Sequence, residues 1–130
     1  MDFSSFVGLP WADRGRDRTG YDCYGLFRAA FFAGTGITLP SYADGYATAA
    51  DRREVEQLYH GELGDWAEVP VDRQQAFDGV ALRIAGGLHI GLIVKPNRLL
   101  HVQPHRTSVI ERLERYAPVL LGLYRHRELI

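Results

Sequence analysis

A chain of 130 residues, 46% hydrophobic and 24% charged, has the composition of a globular domain able to bury a core; this excludes a disordered tail, a collagen-like repeat and two independent catalytic domains. Its 15 basic and 16 acidic side chains leave a formal net charge of -1, so no global positive field exists to hold an anionic membrane or nucleic acid, and no nucleic acid partner is expected. The single cysteine, Cys23, excludes an internal disulfide and any Cys-x-x-Cys site. No apolar run approaches the ~20 residues that span a bilayer. Met1-Asp2-Phe3-Ser4-Ser5 has neither the basic nor the apolar region of a secretory leader, so synthesis is expected to end in the cytoplasm.

The first predicted element is a helix at about residues 23 to 33, where Cys23, Leu26, Phe27, Ala30 and Phe31 recur at helical spacing. Asp22 stands at the N-cap and Gly34-Thr35-Gly36 supplies the stop. Residues Leu39 to Ala47, with Pro40 and Gly45, read as an irregular loop; a second, shorter helix follows, opened by Asp51 and Glu54 at capping-box spacing and closed near Gly61. After a polar connector containing Pro70 and Gln74-Gln75, the period changes. Val80–Ile84, His89–Val94, Leu99–Val102, Ser108–Leu113 and Leu120–Tyr124 read as strands. The turn signals between them, Gly86-Gly87 and Lys95-Pro96-Asn97, are too short for crossover helices, so an antiparallel meander is expected. Helices first and strands afterwards make one α+β domain over residues 1–130.

Two groups of residues can carry chemistry. Cys23 falls in the first turn of its helix, where unpaired backbone N–H groups and the macrodipole favour a thiolate and could hold an oxyanion; rapid alkylation is the expected consequence. Read by itself, a lone cysteine on an apolar helix face is a small core residue. A nucleophilic cysteine also needs a base and a group that orients that base. A hairpin centred on Lys95 would set His89 directly opposite His101, with Cβ atoms about 5 Å apart and both rings facing the helix end that bears Cys23. Taken singly, each histidine is an amphipathic strand residue. A rival arrangement, a metal site from His89, His101 and His105, has no carboxylate or second cysteine at ligand spacing beside it. His60 and His126 sit among charged residues and read as solvated surface.

With these residues in place, the chain resembles the NlpC-type cell-wall endopeptidases, a branch of the papain-like cysteine peptidases. The resemblance is carried by Gly8-Leu9-Pro10-Trp11-Ala12-Asp13-Arg14-Gly15, by Gly20-Tyr21-Asp22-Cys23-Tyr24-Gly25-Leu26, and by His89-Ile90-Gly91 followed twelve residues after His89 by His101. It implies a papain-like fold with N-terminal helices on a C-terminal antiparallel sheet, Cys23 as nucleophile, His89 as base and His101 as its orienting partner. It implies no cofactor and no metal. The implied substrate is a peptidoglycan stem peptide, cut at the bond between D-γ-glutamate and a diamino acid. Trp11, Asp22 and Tyr24 are the implied substrate contacts; Trp11 replaces a tyrosine and Tyr24 a serine of the usual pattern, which bears on substrate choice. Leu39-Pro40-Ser41-Tyr42 and Ser108-Val109-Ile110-Glu111-Arg112-Leu113 are most similar to members encoded in phage and prophage tail modules, implying tail proteins as partners and a virion-associated enzyme delivered to the wall.

Two further functions stay open on sequence. The domain could be a structural component of a tail tip, for which Phe3, Phe6, Trp66 and Phe77 would form an exposed contact patch rather than core. The same cysteine and histidines could also serve an amidase or acyltransferase.

Overall fold

A computed structural model describes residues 1–41 and 65–130. The expected second helix, His60 and the loop beyond Ser41 lie outside the described residues. A short hairpin of β1 (Arg16–Asp17) and β2 (Gly20–Tyr21) leads into α1 (Cys23–Thr35). Asp22 caps α1 as expected, its carboxylate accepting from the Gly25 N–H at 2.7 Å, and the left-handed Gly36 ends it with an N–H bond to the Phe32 carbonyl. The helix runs two residues past its predicted end because Gly34 and Thr35 continue the last turn.

Six antiparallel strands follow: β3 (Trp66–Val69), β4 (Gly79–Ile84), β5 (Gly87–Lys95), β6 (Arg98–His101), β7 (Val109–Arg112) and β8 (Leu120–His126). They form one sheet in the order β3-β8-β4-β5-β6-β7. Strands β4 to β7 are the expected meander, but the last strand does not continue it. A 3₁₀ segment, Leu113–Val119, carries the chain back across the sheet, so β8 pairs with β4 on one side and β3 on the other.

The sheet therefore has two covered faces. Helix α1 buries Leu26, Phe27, Ala30 and Phe31 against Ile90, Leu92, Leu100 and Val102. The opposite face carries Val80, Leu82, Ile93, Leu99 and Leu123, covered by Leu113, Tyr116 and Val119 of the 3₁₀ segment. Each large side chain so buried contributes about 1.5–3 kcal/mol. The four aromatics that sequence leaves open as a contact patch belong to the α1 side. Phe3 and Phe6 are buried, and Trp66 and Phe77 pack against the same cluster. His126 is a correction: it is buried, with its ring 5.1 Å from Trp66 and 5.9 Å from Phe31. Strand alternation turns Arg125 to the other face, and Arg127 lies beyond the strand with an exposed side chain.

The β5–β6 hairpin turns one residue later than expected. Pro96 and a left-handed Asn97 form the turn, and an irregularity between Ile93 and Lys95 shifts the register to Leu92 opposite Leu100. One step further, Gly91 rather than His89 lies across from His101. A Cβ on Gly91 would stand 2.4 Å from Leu99 Cδ1, 3.2 Å from the Leu100 carbonyl oxygen and 3.3 Å from His101 Cβ. Gly91→Ala should therefore destabilise the fold by about 1–3 kcal/mol through overpacking, read as a lower midpoint in urea. An unchanged midpoint would mean the hairpin opens without cost.

Candidate functional site

Cys23 is the first residue of α1 and is half-buried. The β1–β2 hairpin is pressed onto this helix end: a Cβ on Gly25 would lie 2.1 Å from the Gly15 carbonyl oxygen. The backbone N–H groups of Ile90 and Tyr24 lie close enough to the sulfur to favour its anionic form. Ile90 follows His89, so the helix start lies against the part of β5 that is still paired with β4 but lies beyond its pairing with β6. Burial, with the Asp22 carboxylate behind it, pushes the thiol up to about 12 against the two N–H groups and Arg16. The expected resting thiolate is thus corrected: the helix end does not offset the loss of solvent, and Cys23 is a neutral thiol at pH 7.

The two histidines do meet, but not as directly opposed residues. His89 Nε2 lies 2.8 Å from His101 Nδ1 with the rings at 71°. They are diagonal neighbours on one face, and the missing side chain of Gly91 leaves the space through which the rings reach each other. Their face is also a correction. His89 stands opposite Leu82 and shares its side of the sheet with Val80, Ile93 and Leu99, the side covered by the 3₁₀ segment rather than by α1. Residue spacing determines that the two rings share a face, while the long-range packing of α1 determines which face. Among the described residues no hydrogen bond joins the thiol to either ring.

A residue that sequence reading passed over completes the cluster. Glu111 on β7 places Oε1 2.8 Å from His101 Nε2, and the same oxygen accepts from the Tyr116 hydroxyl at 2.7 Å. Its other oxygen accepts from Arg115 at 2.7 Å. The available signal was Glu111 lying in a segment already read as a strand, but its meeting with His101 needs the β6–β7 register, in which Leu99 opposes Glu111 and His101 opposes Val109.

The expected substrate contacts are placed as follows. Asp22 is 1% exposed, and its Oδ1 accepts from the Gly25 N–H at 2.7 Å and from Arg16 at 2.8 Å. Tyr24 donates its hydroxyl to the Pro40 carbonyl and lies under the Arg16 guanidinium. Trp11 packs its ring at a tilt against His105, with centroids 4.9 Å apart. Among the described residues, no three His, Cys, Asp or Glu side chains are grouped to hold a metal ion.

Burial lowers His89 to about 3, with His101 adding to the effect, and burial likewise lowers His101 against the pull of Glu111. Both rings are neutral at pH 7. As pH falls below the ordinary imidazole value of about 6.5, the unfolded chain gains protons that the folded chain refuses, so stability is lost between there and the folded value. The melting temperature should fall steadily from pH 6.5 towards pH 4, and His89→Gln should flatten its upper part. A melting temperature independent of pH from 7 to 5 would contradict the burial of these rings.

No sequence-family model matches this chain, and no curated protein matches it. Solved structures do. The NlpC/p60 domain of the peptidoglycan hydrolase SagA superimposes with a TM-score of 0.63 at 18% identity, covering 92% of this chain and 89% of that one. A protein similar to lipoprotein of the NLP/P60 family from Staphylococcus aureus subsp. aureus Mu50 gives 0.62 at 20% identity over 93% of this chain, which spans 37% of that longer protein. The chain has the α+β fold of these NlpC/p60 structures, as the resemblance implied.

Proposed function

We propose that the protein is a cysteine hydrolase of peptidoglycan stem peptides. One observation carries the reading: the only thiol sits at a helix start against the backbone of Ile90, the residue that follows a histidine whose ring is hydrogen-bonded to a second histidine. The shared fold with a peptidoglycan hydrolase domain supports the substrate class. In this reading His89 removes the Cys23 proton as sulfur attacks the amide carbon, then returns that proton to the leaving amine. Water hydrolyses the thioester, again with His89 as base. Because both partners rest neutral, the proton moves during attack rather than before it. The Cys23 backbone N–H is the oxyanion donor.

The proposed bond is that between D-γ-glutamate and the diamino acid, and the proposed setting is a phage or prophage tail module; both rest on the sequence pattern around Trp11, Cys23 and Leu39-Pro40-Ser41. Asp22 and Tyr24 act by shaping the helix start, since Arg16 and the Gly25 N–H both donate to Asp22 Oδ1 and Pro40 takes the Tyr24 hydroxyl. The test is mass spectrometry of purified muropeptides after incubation. Fragments newly ending in D-glutamate and beginning with the diamino acid support the assignment. Release of the whole stem peptide from its sugar points to an amidase, and intact substrate points to a structural tail component.

A further inference from the structure

We propose that Glu111 is a positioning residue that sets the direction of the hydrogen-bond chain and thereby holds His89 in the tautomer whose Nδ1 is bare. Its catalytic consequence rests on the cysteine hydrolase reading; its geometry does not.

The direction follows from donor and acceptor inventories. An ionised carboxylate can only accept, so at 2.8 Å from Glu111 Oε1 the Nε2 of His101 must carry a hydrogen. His101 is neutral, which leaves its Nδ1 with a lone pair. That Nδ1 lies 2.8 Å from His89 Nε2, so His89 must donate from Nε2. The remaining nitrogen of a neutral His89, Nδ1, then has no hydrogen and is free to take one. Reversing any link reverses all of them: were Glu111 to donate, His101 would donate from Nδ1, His89 would accept at Nε2, and its proton would block the basic nitrogen.

The carboxylate is built to remain an acceptor. Tyr116 donates to Oε1 and Arg115 to Oε2, each at 2.7 Å, and Gln103 reaches the Tyr116 hydroxyl from behind at 3.4 Å. Burial raises the Glu111 carboxyl, but the hydrogen bonds from Tyr116 and His101 and the Arg115 charge work against it, and the group is held below its ordinary range. Tyr116 also meets the His101 ring edge-on at 5.2 Å, bracing it from the 3₁₀ segment.

The experiment is a long-range ¹⁵N–¹H correlation spectrum of the histidine rings in the ¹⁵N-labelled chain at pH 7, together with kcat and KM on muropeptides. Expected in the parent protein are Nε2–H tautomers for both His89 and His101. In Glu111→Ala a population of His89 protonated at Nδ1 should appear, and kcat should fall about tenfold, the worth of one charge-assisted hydrogen bond, with KM unchanged. Glu111→Gln keeps the shape and should give a mixture of the two tautomers; it carries the test if the alanine variant does not fold. Tyr116→Phe leaves the carboxylate in place and should keep the parent tautomers. An Nδ1–H His89 in the parent protein, or spectra that Glu111→Ala and Glu111→Gln leave unchanged, would overturn the proposal. Tautomers that shift as described in a protein without hydrolytic activity would support the chain and refute only the hydrolase reading.

Discussion

Cys23→Ala should abolish muropeptide cleavage, by more than about a thousandfold, because removing the nucleophile leaves binding and oxyanion contacts with nothing to attack the carbonyl. Stability should change little, since the thiol contributes a single small side chain at a half-buried helix start. The same residue gives a second reading through its protonation. A thiol pushed up to about 12 is almost wholly protonated at pH 7, so iodoacetamide should label it more slowly than an unperturbed cysteine, the rate climbing through the alkaline range. This is the reverse of what the helix end alone leads one to expect. Rapid labelling at pH 7 would mean that a thiolate–imidazolium pair already exists at rest, and the neutral mechanism would have to be replaced. Full activity in Cys23→Ala would remove the cysteine from the chemistry altogether.

The contrast between these two expectations marks where the sequence is legible. Local signals survive folding: Asp22 before an apolar helical repeat caps α1, and short turn signals divide β4 from β5 and β5 from β6. What was not legible depends on distant partners. Leu120 to His126 carries the alternation of a strand, but nothing local says that it inserts between β3 and β4 rather than beside β7. His126 looks solvated among Arg125, Arg127 and Glu128, yet alternation turns its ring inward onto Trp66. The spacing of His89 and His101 correctly put both rings on one face. The side of the sheet and the opposed residue were missed, because helix packing fixes the first and the Pro96-Asn97 turn with its irregularity fixes the second. Glu111 was missed for the same reason, its role existing only once β6 and β7 are paired. Solvation is the other blind spot. Helix position argues for a thiolate at Cys23, and only the assembled core reveals that burial wins.

The two histidines should fail differently when replaced. His89→Ala removes the base, a contribution of about 10²–10⁴-fold to rate, and should leave a folded protein with almost no cleavage. At residue 101 the requirement is narrower: accept a hydrogen from His89 Nε2 and donate one to Glu111 Oε1. An asparagine has a carbonyl for the first task and an amide N–H for the second, so His101→Asn should keep measurable activity. His101→Ala can do neither. It leaves the buried His89 N–H without an acceptor and Glu111 short of one donor, a loss of about 1–3 kcal/mol in stability for the orphaned group alone. It also frees His89 to place its proton on Nδ1, so the alanine variant should lose activity well beyond the asparagine variant. Steady-state kinetics at pH 7 with thermal melts in parallel separate the two effects. Equal loss in His89→Ala and His101→Asn would assign both rings the same task, as a shared metal would, and restoration of chelator-treated protein by zinc would establish that reading in place of the cysteine–histidine mechanism.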